Sequence, residues 1–365
     1  MPPVNLAQAL ARASSLSGRS ALSLAVELIG AMRGVPRLAI REYFTQGAWI
    51  GPASPANGFV GNRSSRQLNL SLTDTGHQDQ TALFNDKYLT GVVLQAHGVP
   101  VADVRAVFAT DRSYGALPTL RTAGDLAAWI ATPGHLPAFA KPVDRSMSVG
   151  AIPLRQAGVV GQVDIGGTVV PIAQLAAEVA QTYPTGWLIQ DLIRQPEAIE
   201  ALIGPGVGTV RLVSLWEAAG PQVLYAVWRH PAAGTWIDED LIGKPTVGCA
   251  LDPVTGTVQR AHLGNRFTGR EITRFPMAPD TPLHGFPIPD WAAMVDICCA
   301  AHRLFPGHSV LGWDVAISAR GPLICEVNAR PQHTSYQRAF GRGFLHPAHV
   351  ARLDAARQLM IKRCT

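Results

Sequence analysis

The sequence predicts a mixed fold, α/β or α+β, in which two or three subdomains surround a cleft. The chain has 365 residues, which is more than one small core holds, since a domain has roughly 100–200 residues. Segments with helical periodicity alternate with strand-like segments along the whole chain. Turn residues join some neighbouring strands into hairpins, so antiparallel pairs are expected within the sheets.

The composition is that of a globular protein, with 47% hydrophobic and 16% charged residues. The formal net charge is +5, which is a mild excess for this length. There is no run of five basic residues and no stripe of alternating basic and aromatic residues. This pattern favours a solvated surface with some attraction for anions over nucleic-acid binding. A nucleotide or a carboxylate substrate suits the same charge.

The cysteine content indicates reduced thiols and therefore a cytoplasmic location. The five cysteines are odd in number and form no CxxC pair, which argues against a disulfide framework or a zinc site. No apolar run of about 18 residues occurs, so no transmembrane helix is expected. Residues 4–32 are rich in Ala and Leu but are interrupted by charges, and they predict one or two amphipathic helices rather than a signal peptide.

Hydrophobic periodicity, together with Gly and Pro residues that end helices and strands, predicts the secondary structure. Helices are predicted over residues 1–34, 80–97, 123–130, 172–182, 290–304 and 347–363. Strands are predicted over residues 104–109, 136–143, 187–193, 209–216, 222–229, 310–318 and 323–328, with a further hairpin over 159–170. Residues 35–78 are rich in Gly, Pro, Ser and Asn and predict a connecting segment without strong periodicity.

An acidic hairpin near the C-terminus carries the most informative polar residues. Glu326 and Asn328 are two positions apart on one predicted strand, so they share a face. Asp314 lies on the preceding strand and can reach the same face. Two carboxylates and an amide oxygen are the hard ligands that magnesium prefers when it also holds phosphate oxygens. The alternative is an ordinary solvent-facing hairpin, which spacing alone does not distinguish.

This hairpin resembles the metal-binding signature of the ATP-grasp superfamily. Residues 310–337 are most similar to its sugar-transfer-associated branch, also described as hexapeptide-transferase-like or glutamate-ligase-related, and the resemblance extends over roughly residues 80–345. It implies an α+β ATP-grasp fold, in which two α+β subdomains clasp ATP and a helical segment precedes them in the sequence. The implied divisions are 1–80 for the helical and connecting segment, 81–135 for a preceding region, 136–200 for the lid subdomain and 201–365 for the subdomain with the metal site.

The resemblance also implies which residues contact ATP and magnesium. An Asp-Lys pair before a Gly-Val-Pro turn places a lysine at the phosphates, and a second lysine precedes a flexible loop that here is poor in glycine. A hinge strand supplies groups for adenine, and an acidic residue follows it at the ribose position, although an exposed glutamate at a helix start is the alternative there. The implied ATP-binding residues are Lys87, Lys141, Ser146, Ser148, Gln190, Asp191, Ile193 and Glu197, and the implied Mg²⁺ ligands are Asp314, Glu326 and Asn328.

Three cations are implied as catalytic groups. Arg211 lies on a strand similar to one of the branch, and its guanidinium fork suits an acyl phosphate or a carboxylate. Arg229 and Lys244 are candidates for contact with the γ-phosphate or the acyl phosphate, with an exposed cation at a sheet edge as the alternative for each. Arg330 and His333 are expected on the acceptor side, where they would bind a substrate carboxylate or accept a proton.

The reaction implied is ligation of a small-molecule carboxylate to an amine in a biosynthetic pathway, through an acyl phosphate. A phosphotransferase on the same fold and a non-catalytic nucleotide-binding accessory of sugar transfer or polysaccharide biosynthesis are the alternatives. No membrane or nucleic-acid partner is expected, and the N-terminal helices are expected either to dock on the lid or to form a homodimer contact. The sequence contains no Walker A loop, no dinucleotide-binding G-x-G-x-x-G and no hydrolase G-x-S-x-G motif.

Overall fold

The structure, a computed structural model, describes residues 5–34, 37–51, 58–145, 148–231, 234–236 and 245–364. Within these residues two seven-stranded sheets are covered by helices. The helices are α1 Leu6–Ser17, α2 Ala21–Arg33, α3 Ile40–Gln46, α4 Asn62–Leu70, α5 Thr81–Asn85, α6 Lys87–Ala96, α7 Ala123–Ala131, α8 Ile172–Thr182, α9 Glu197–Ile203, α10 Trp291–His302, α11 Thr334–Phe340 and α12 Pro347–Cys364. The strands are β1 Val104–Phe108, β2 Thr119–Leu120, β3 Ala138–Pro142, β4 Ile152–Gln156, β5 Gln162–Asp164, β6 Val169–Pro171, β7 Trp187–Asp191, β8 Thr209–Glu217, β9 Gly220–His230, β10 Val247–Leu251, β11 Val258–Leu263, β12 Arg270–Ile272, β13 Val310–Ser318 and β14 Gly321–Asn328.

The first sheet has the strand order β2-β1-β7-β3-β4-β5-β6, and only β1 and β2 are parallel among its described strands. Helices α7 and α8 cover one face, where Phe108, Trp129 and Trp187 lie in one apolar core. Strand β1 pairs with β7, so β1, which precedes the predicted boundary, belongs to the same sheet as the predicted lid. The predicted boundary at residue 135 therefore falls inside a single sheet.

The second sheet is antiparallel throughout its described strands, in the order β12-β11-β10-β9-β8-β13-β14. Helix α10 covers one face, and Met294 packs there in the core that also holds Trp228 and Trp313. On the opposite face, Tyr225 of β9 packs with Tyr336 of α11. Further along this second face the strands carry charged side chains, which form the site described below.

The N-terminal helices are joined to the C-terminal half by buried amides. The side chain of Gln337 in α11 accepts from the Val60 N–H at 2.8 Å and also donates to Gln46 of α3. The side-chain amide of Asn69 in α4 donates to the carbonyl oxygen of Pro331 at 2.8 Å. Helices α3 and α4 are therefore part of the core, although the sequence predicted only a connecting segment over 35–78. Their buried faces include polar residues, and hydrophobic periodicity does not detect such faces.

Most predicted elements are present, with one break that matters for the site. The predicted helix over 80–97 is divided at Asp86, whose side chain accepts from the Leu89 N–H and so begins α6. Strands β10, β11 and β12 and helix α11 were not predicted from the sequence. None of the helices in the described part of the chain combines the length and hydropathy that a bilayer-spanning segment needs.

Candidate active site

A cleft that is partly open to solvent lies between the edge strand β14 and the first sheet. Val101 forms a parallel bridge with Ile324 at its base, and the Ile324 N–H donates to the Pro100 carbonyl oxygen at 2.9 Å. The apolar lining consists of Phe84, Leu94, Val101, Val104, Leu188, Ile324 and Val327. The polar side chains at the lining are Lys87, Thr90, Lys141, Gln190, Cys325 and Glu326. Lys87, Lys141, Gln190 and Glu326 were all predicted from the sequence, and the structure brings them together.

The two lysines approach the cleft from different elements. Lys87 is the first residue of α6, and its ammonium donates to the Arg145 carbonyl oxygen. Lys141 is on β3, and its ammonium donates to the carbonyl oxygen of Cys325 at 3.1 Å. Burial lowers the pKa of Lys87, and the positive charge of Lys141 lowers it further, while Glu326 partly offsets both effects. The cleft therefore holds two neighbouring cations, one of which is destabilised by its surroundings until an anion binds.

Glu326, Asp314 and Arg211 form a row across β14, β13 and β8. Asp314 is the cross-strand partner of Glu326 on one side and of Arg211 on the other, so the three side chains share a face. The Arg211 guanidinium binds Asp314 through two bonds, Nε to Oδ1 at 2.5 Å and Nη2 to Oδ2 at 2.8 Å. Arg229 of β9 adds a third bond, from Nη2 to Oδ1 at 3.1 Å.

The charges in this row are mutually compensating. Asp314 is only 8% exposed, and burial alone would raise the pKa of its carboxyl group. The charges of Arg211 and Arg229 outweigh burial and hold the pKa of Asp314 below its ordinary value. For Arg211, burial favours the neutral form, but Asp314 raises the pKa above the ordinary value. Asp314 is therefore ionised and is shared by two arginines.

A β-bulge at Cys325 sets the direction of Glu326. Asp314 pairs with Glu326, whereas the next residue of β13, Val315, pairs with Ile324, so Cys325 is the extra residue of β14. Its carbonyl oxygen is the acceptor for Lys141. Cys325 is half-buried and lines the cleft. The bulge keeps Glu326 beside Asp314 and gives Lys141 a fixed position.

The three predicted magnesium ligands lie on one face, because Asn328 pairs with Gly312 two positions from the Asp314–Glu326 pair. The Glu326 carboxylate accepts no hydrogen bond within the described part of the chain, and the buried side-chain nitrogen of half-buried Asn328 has no partner there. Asp314 accepts three hydrogen bonds from arginine, which leaves part of its capacity of about four lone pairs. The donors suit a hard cation, although the described residues contain no group of three or more His, Cys, Asp or Glu that could hold a metal. A cation here requires the Asn328 oxygen as a ligand.

The hinge strand β7 delivers only part of the predicted adenine contacts. Gln190 is 5% exposed and lines the cleft. The Asp191 side chain points to the other face of β7, where its carboxylate lies 3.7 Å from Arg105. It was expected to contact ATP, but it does not line the described cleft. Ile193 is half-buried after the strand, and Glu197 is an exposed residue in the first turn of α9. Neither of these two lines the described cleft.

Part of the predicted phosphate loop, and one of the predicted catalytic cations, cannot be placed. Ser146 and Lys244 lie outside the described residues. Ser148 occupies a turn with a φ of 54°, and its carbonyl oxygen accepts from the Ala151 N–H.

Arg330 and His333 separate in the structure. Arg330 is half-buried two residues after Asn328. His333 is completely buried and does not line the described cleft, where it was expected to meet a substrate. Tyr225 donates to its Nδ1 at 2.9 Å, and its Nε2 donates to the Asn69 side-chain oxygen at 3.3 Å. Burial lowers the pKa of His333 to about 3, so this side chain is a neutral structural residue.

Two residues near the site were missed from the sequence. Trp236 reaches the first sheet, where its ring lies 3.8 Å from the guanidinium carbon of Arg155. Burial lowers the pKa of Arg330, and the charge of Arg66 of α4 lowers it further. Both are isolated in sequence and far from the residue they contact, so no local signal could have identified them.

Two largely antiparallel sheets around a cleft, with lysines from one side and a carboxylate hairpin from the other, are the arrangement expected for an ATP-grasp protein. The family model of "Sugar-transfer associated ATP-grasp" proteins matches residues 172–352, about half of the chain, including β8, β9 and the β13–β14 hairpin. Over these residues the chain is similar to the sugar-transfer-associated branch of the ATP-grasp superfamily.

Solved structures with some similarity include several amino-acid ligases. The D-alanine–D-alanine ligase from Coxiella burnetii is 14% identical, with a TM-score of 0.41 over 78% of this chain and 60% of that chain. The enzyme from Helicobacter pylori is 13% identical, with a TM-score of 0.42 over 76% and 61% of the two chains. The VanG D-Ala:D-Ser ligase from Enterococcus faecalis is 14% identical, with a TM-score of 0.43 over 77% and 62%.

The chain thus spans about three fifths of the length of these three ligases. Similarity at this level identifies neither an activity nor a substrate. No curated protein sequence matches the chain.

Proposed function

We propose that the protein is an ATP-dependent ligase that joins a carboxylate to an amine through an acyl phosphate. The observation that carries the proposal is the single cleft that brings Lys87, Lys141, Gln190 and Glu326 together beside the Arg211–Asp314 pair. Two ammonium groups, a half-buried carboxylate and a largely buried arginine fork match the needs of phosphoryl transfer to a carboxylate, which are charge neutralisation and positioning. The proposal includes a cytoplasmic location, as the cysteine content favours.

ATP is proposed to lie in the cleft with its phosphates near Lys87 and Lys141 and its base near Gln190. The apolar side chains of the lining, such as Leu188 and Val327, provide a surface for an aromatic ring. The Gln190 side chain offers both a donor and an acceptor to the edge of a base. An anion bound beside Lys87 would favour its charged form and so offset the burial that lowers its pKa.

Asp314, Glu326 and Asn328 would hold magnesium, which supplies neutralisation of the charge on phosphate oxygens. Arg211 has a planar fork and lies behind Asp314, so it is positioned to stabilise negative charge that develops on a transferred phosphoryl group. Arg229 and Lys244 are proposed to assist, and Ser146 and Ser148 are proposed to lie near the phosphates. The first sheet, closing over the cleft, would keep water from the acyl phosphate.

In the proposed reaction a carboxylate oxygen attacks the γ-phosphorus of ATP, and the bond to the β,γ-bridging oxygen breaks. ADP leaves and an acyl phosphate remains. The amine nitrogen then attacks the acyl carbon, the acyl carbon–oxygen bond breaks, and phosphate leaves. The nitrogen loses a proton in this step, so the products are an amide, ADP and phosphate.

The test is a screen of amino acids and small acids for ADP release, with hydroxylamine present to trap the acyl phosphate. A hydroxamate that requires ATP and disappears in Lys141→Gln and Glu326→Gln supports the ligase. Arg320→Gln is the matched control, because Arg320 is exposed at the turn between β13 and β14, away from the cleft. ADP release with a stable phosphorylated product and no hydroxamate would identify a phosphotransferase. ATP binding that tolerates Asp314→Ala, without ADP release from any acid, would identify a non-catalytic accessory.

A further inference from the structure

Helix α4 presents one side to the segment that follows β14. Asn62 accepts from the Thr334 hydroxyl at 3.2 Å, and Asn69 donates to the Pro331 carbonyl oxygen at 2.8 Å. Arg66 lies four residues after Asn62 and three before Asn69, so it occupies the same helix face. The face of α4 that carries Arg66 is therefore fixed against residues 331–334, immediately beside Arg330.

Arg66 and Arg330 are neighbouring cations without an acidic partner in the described part of the chain. Arg66 is exposed and Arg330 is half-buried. Asn69 of α4 bonds the carbonyl oxygen of Pro331, the residue next to Arg330, so the face of α4 that carries Arg66 lies beside Arg330. Two like charges on adjoining segments without a carboxylate between them repel each other, and an anion bound by both would remove the repulsion.

Buried polar atoms without partners lie on the same two segments. The hydroxyl of Ser65, a residue only 2% exposed, has no hydrogen-bond partner within the described residues. The Ser335 hydroxyl and the side-chain nitrogen of Asn328 are also buried atoms without a hydrogen-bond partner among the described residues. Buried polar groups are normally hydrogen-bonded, so the neighbourhood has hydrogen-bonding capacity that the protein itself does not use.

The position of this pair relative to the candidate active site is set by Gly312. A Cβ atom at Gly312 would lie 2.7 Å from the Pro331 Cβ, so the absence of a side chain allows the chain after Asn328 to fold over β13. Arg330 consequently lies at the end of the strand that carries Glu326 and Asn328. A molecule held by Arg330 would be adjacent to those residues.

We infer that Arg66 and Arg330 form an anion-binding site for the substrate, so that the N-terminal segment contributes directly to substrate recognition. The substrate class is an acid or amine that carries an additional carboxylate or phosphate group, distinct from the group that reacts. This substrate assignment rests on the proposed ligase function, whereas binding of an anion by the two arginines does not. The site thus gives residues 58–70 a role beyond packing.

The first experiment measures thermal unfolding with inorganic phosphate, and separately with acetate, against chloride at equal ionic strength. An anion that binds only the folded state raises the midpoint temperature. We expect Arg66→Gln and Arg330→Gln to remove the same component of the shift, and the double variant to remove no more than either. Phosphate bound near Lys87 and Lys141 contributes a component that these variants leave intact. Arg320→Gln, an exposed arginine at the far end of the same hairpin, should retain the full shift.

A second measurement tests whether the two arginines are neighbours. Without added anion, Arg66→Glu should unfold at a higher temperature than Arg66→Gln, because the new carboxylate can pair with Arg330. Equal midpoints for these two variants, or a phosphate shift that is the same in all single variants and so reflects an adventitious ion only, would overturn the inference. A shift specific to phosphate would identify a phosphate group on the substrate, and a shift with acetate would identify a carboxylate.

Any substrate found in the ADP-release screen provides the final arm. Arg66→Gln should raise its KM by about tenfold or more with little change in kcat, and an analogue with the additional anionic group amidated or removed should not respond to the variant. Loss of the anion-dependent shift together with no ADP release from any acid would leave the anion site in place and remove the ligase proposal. Active substrates without an additional anionic group would remove the substrate assignment alone.

Discussion

Asp314 and Glu326 are cross-strand partners with opposite electrostatic situations. Asp314 neutralises two arginines in a buried setting, whereas the Glu326 carboxylate accepts no hydrogen bond from the described residues. Asp314→Ala leaves Arg211 and Arg229 uncompensated, and we expect it to lower the free energy of unfolding by about 3–5 kcal/mol. Glu326→Gln removes no ion pair, so it should change the free energy of unfolding by less than about 0.5 kcal/mol while lowering ATP turnover by about 100-fold or more.

Urea unfolding of both variants and ADP release by Glu326→Gln measure this difference. Asp354→Asn, which removes an exposed ion pair with Arg357 on α12, is the control for a surface carboxylate. Equal losses of stability in Asp314→Ala and Glu326→Gln would contradict the assignment of Asp314 as the structural member of the pair.

Because of Lys87, we expect the affinity for ATP to fall at alkaline pH. Burial, with the charge of Lys141, lowers the pKa of Lys87 below the ordinary 10.5. Its ammonium is therefore lost at a lower pH than that of an ordinary lysine, and ATP affinity should fall as pH rises through the lowered pKa. Lys87→Arg should remove this decline, since arginine stays charged. Titrations of ATP between pH 7 and pH 10 measure the effect, with exposed Lys362→Arg as control; superimposable profiles for the wild type and Lys87→Arg would refute it.

At the scale of single elements, the sequence was most informative where side-chain periodicity is regular. The β13–β14 hairpin and α8 were predicted because alternation and helical spacing are clear in them. The bulge at Cys325 could not be predicted, since it depends on how β14 pairs with β13 and on the contact with Lys141. The break before Lys87 was missed because Asp86 acts as a helix cap within an otherwise continuous helical pattern.

Trp236 connects the segment after β9 to the hairpin strands of the first sheet. Its ring stacks on Arg155, and a Cβ atom at Gly166 would lie 2.5 Å from its Cδ1, so glycine is required there for this approach. A cation–π contact of this kind contributes about 1 kcal/mol. Trp236→Ala should therefore increase amide hydrogen exchange over 152–171 by about fivefold, if local opening limits exchange. Val160→Ala, at a fully exposed residue of the same region, should leave the rates unchanged, and unchanged rates in Trp236→Ala would rule out the contact.

At the scale of the whole molecule, the N-terminal segment and the C-terminal half share one core. Gln46 and Gln337 are more than 280 residues apart in sequence, yet their side chains are hydrogen-bonded in the interior. Polar residues such as Asn69 carry no hydrophobic signal, so they were not predicted to lie inside. The candidate site was predicted better than this network, because its lysines and carboxylates occur in recognisable local patterns.

The buried histidines couple this shared core to pH. His333 is neutral, with a folded-state pKa of about 3 against an ordinary value of 6.5. As pH falls below about 6.5, the unfolded chain takes up a proton that the folded chain does not, so stability is complete above that pH and declines toward about pH 3. His333→Gln should reduce the slope of unfolding free energy against pH by up to about 1.4 kcal/mol per pH unit between pH 6 and pH 4. Urea unfolding at several pH values measures the slope, which is independent of any constant loss of stability caused by the substitution. His97→Gln, at an exposed histidine after α6, is the control, and an unchanged slope in His333→Gln would mean that His333 is protonated in the folded protein over this range.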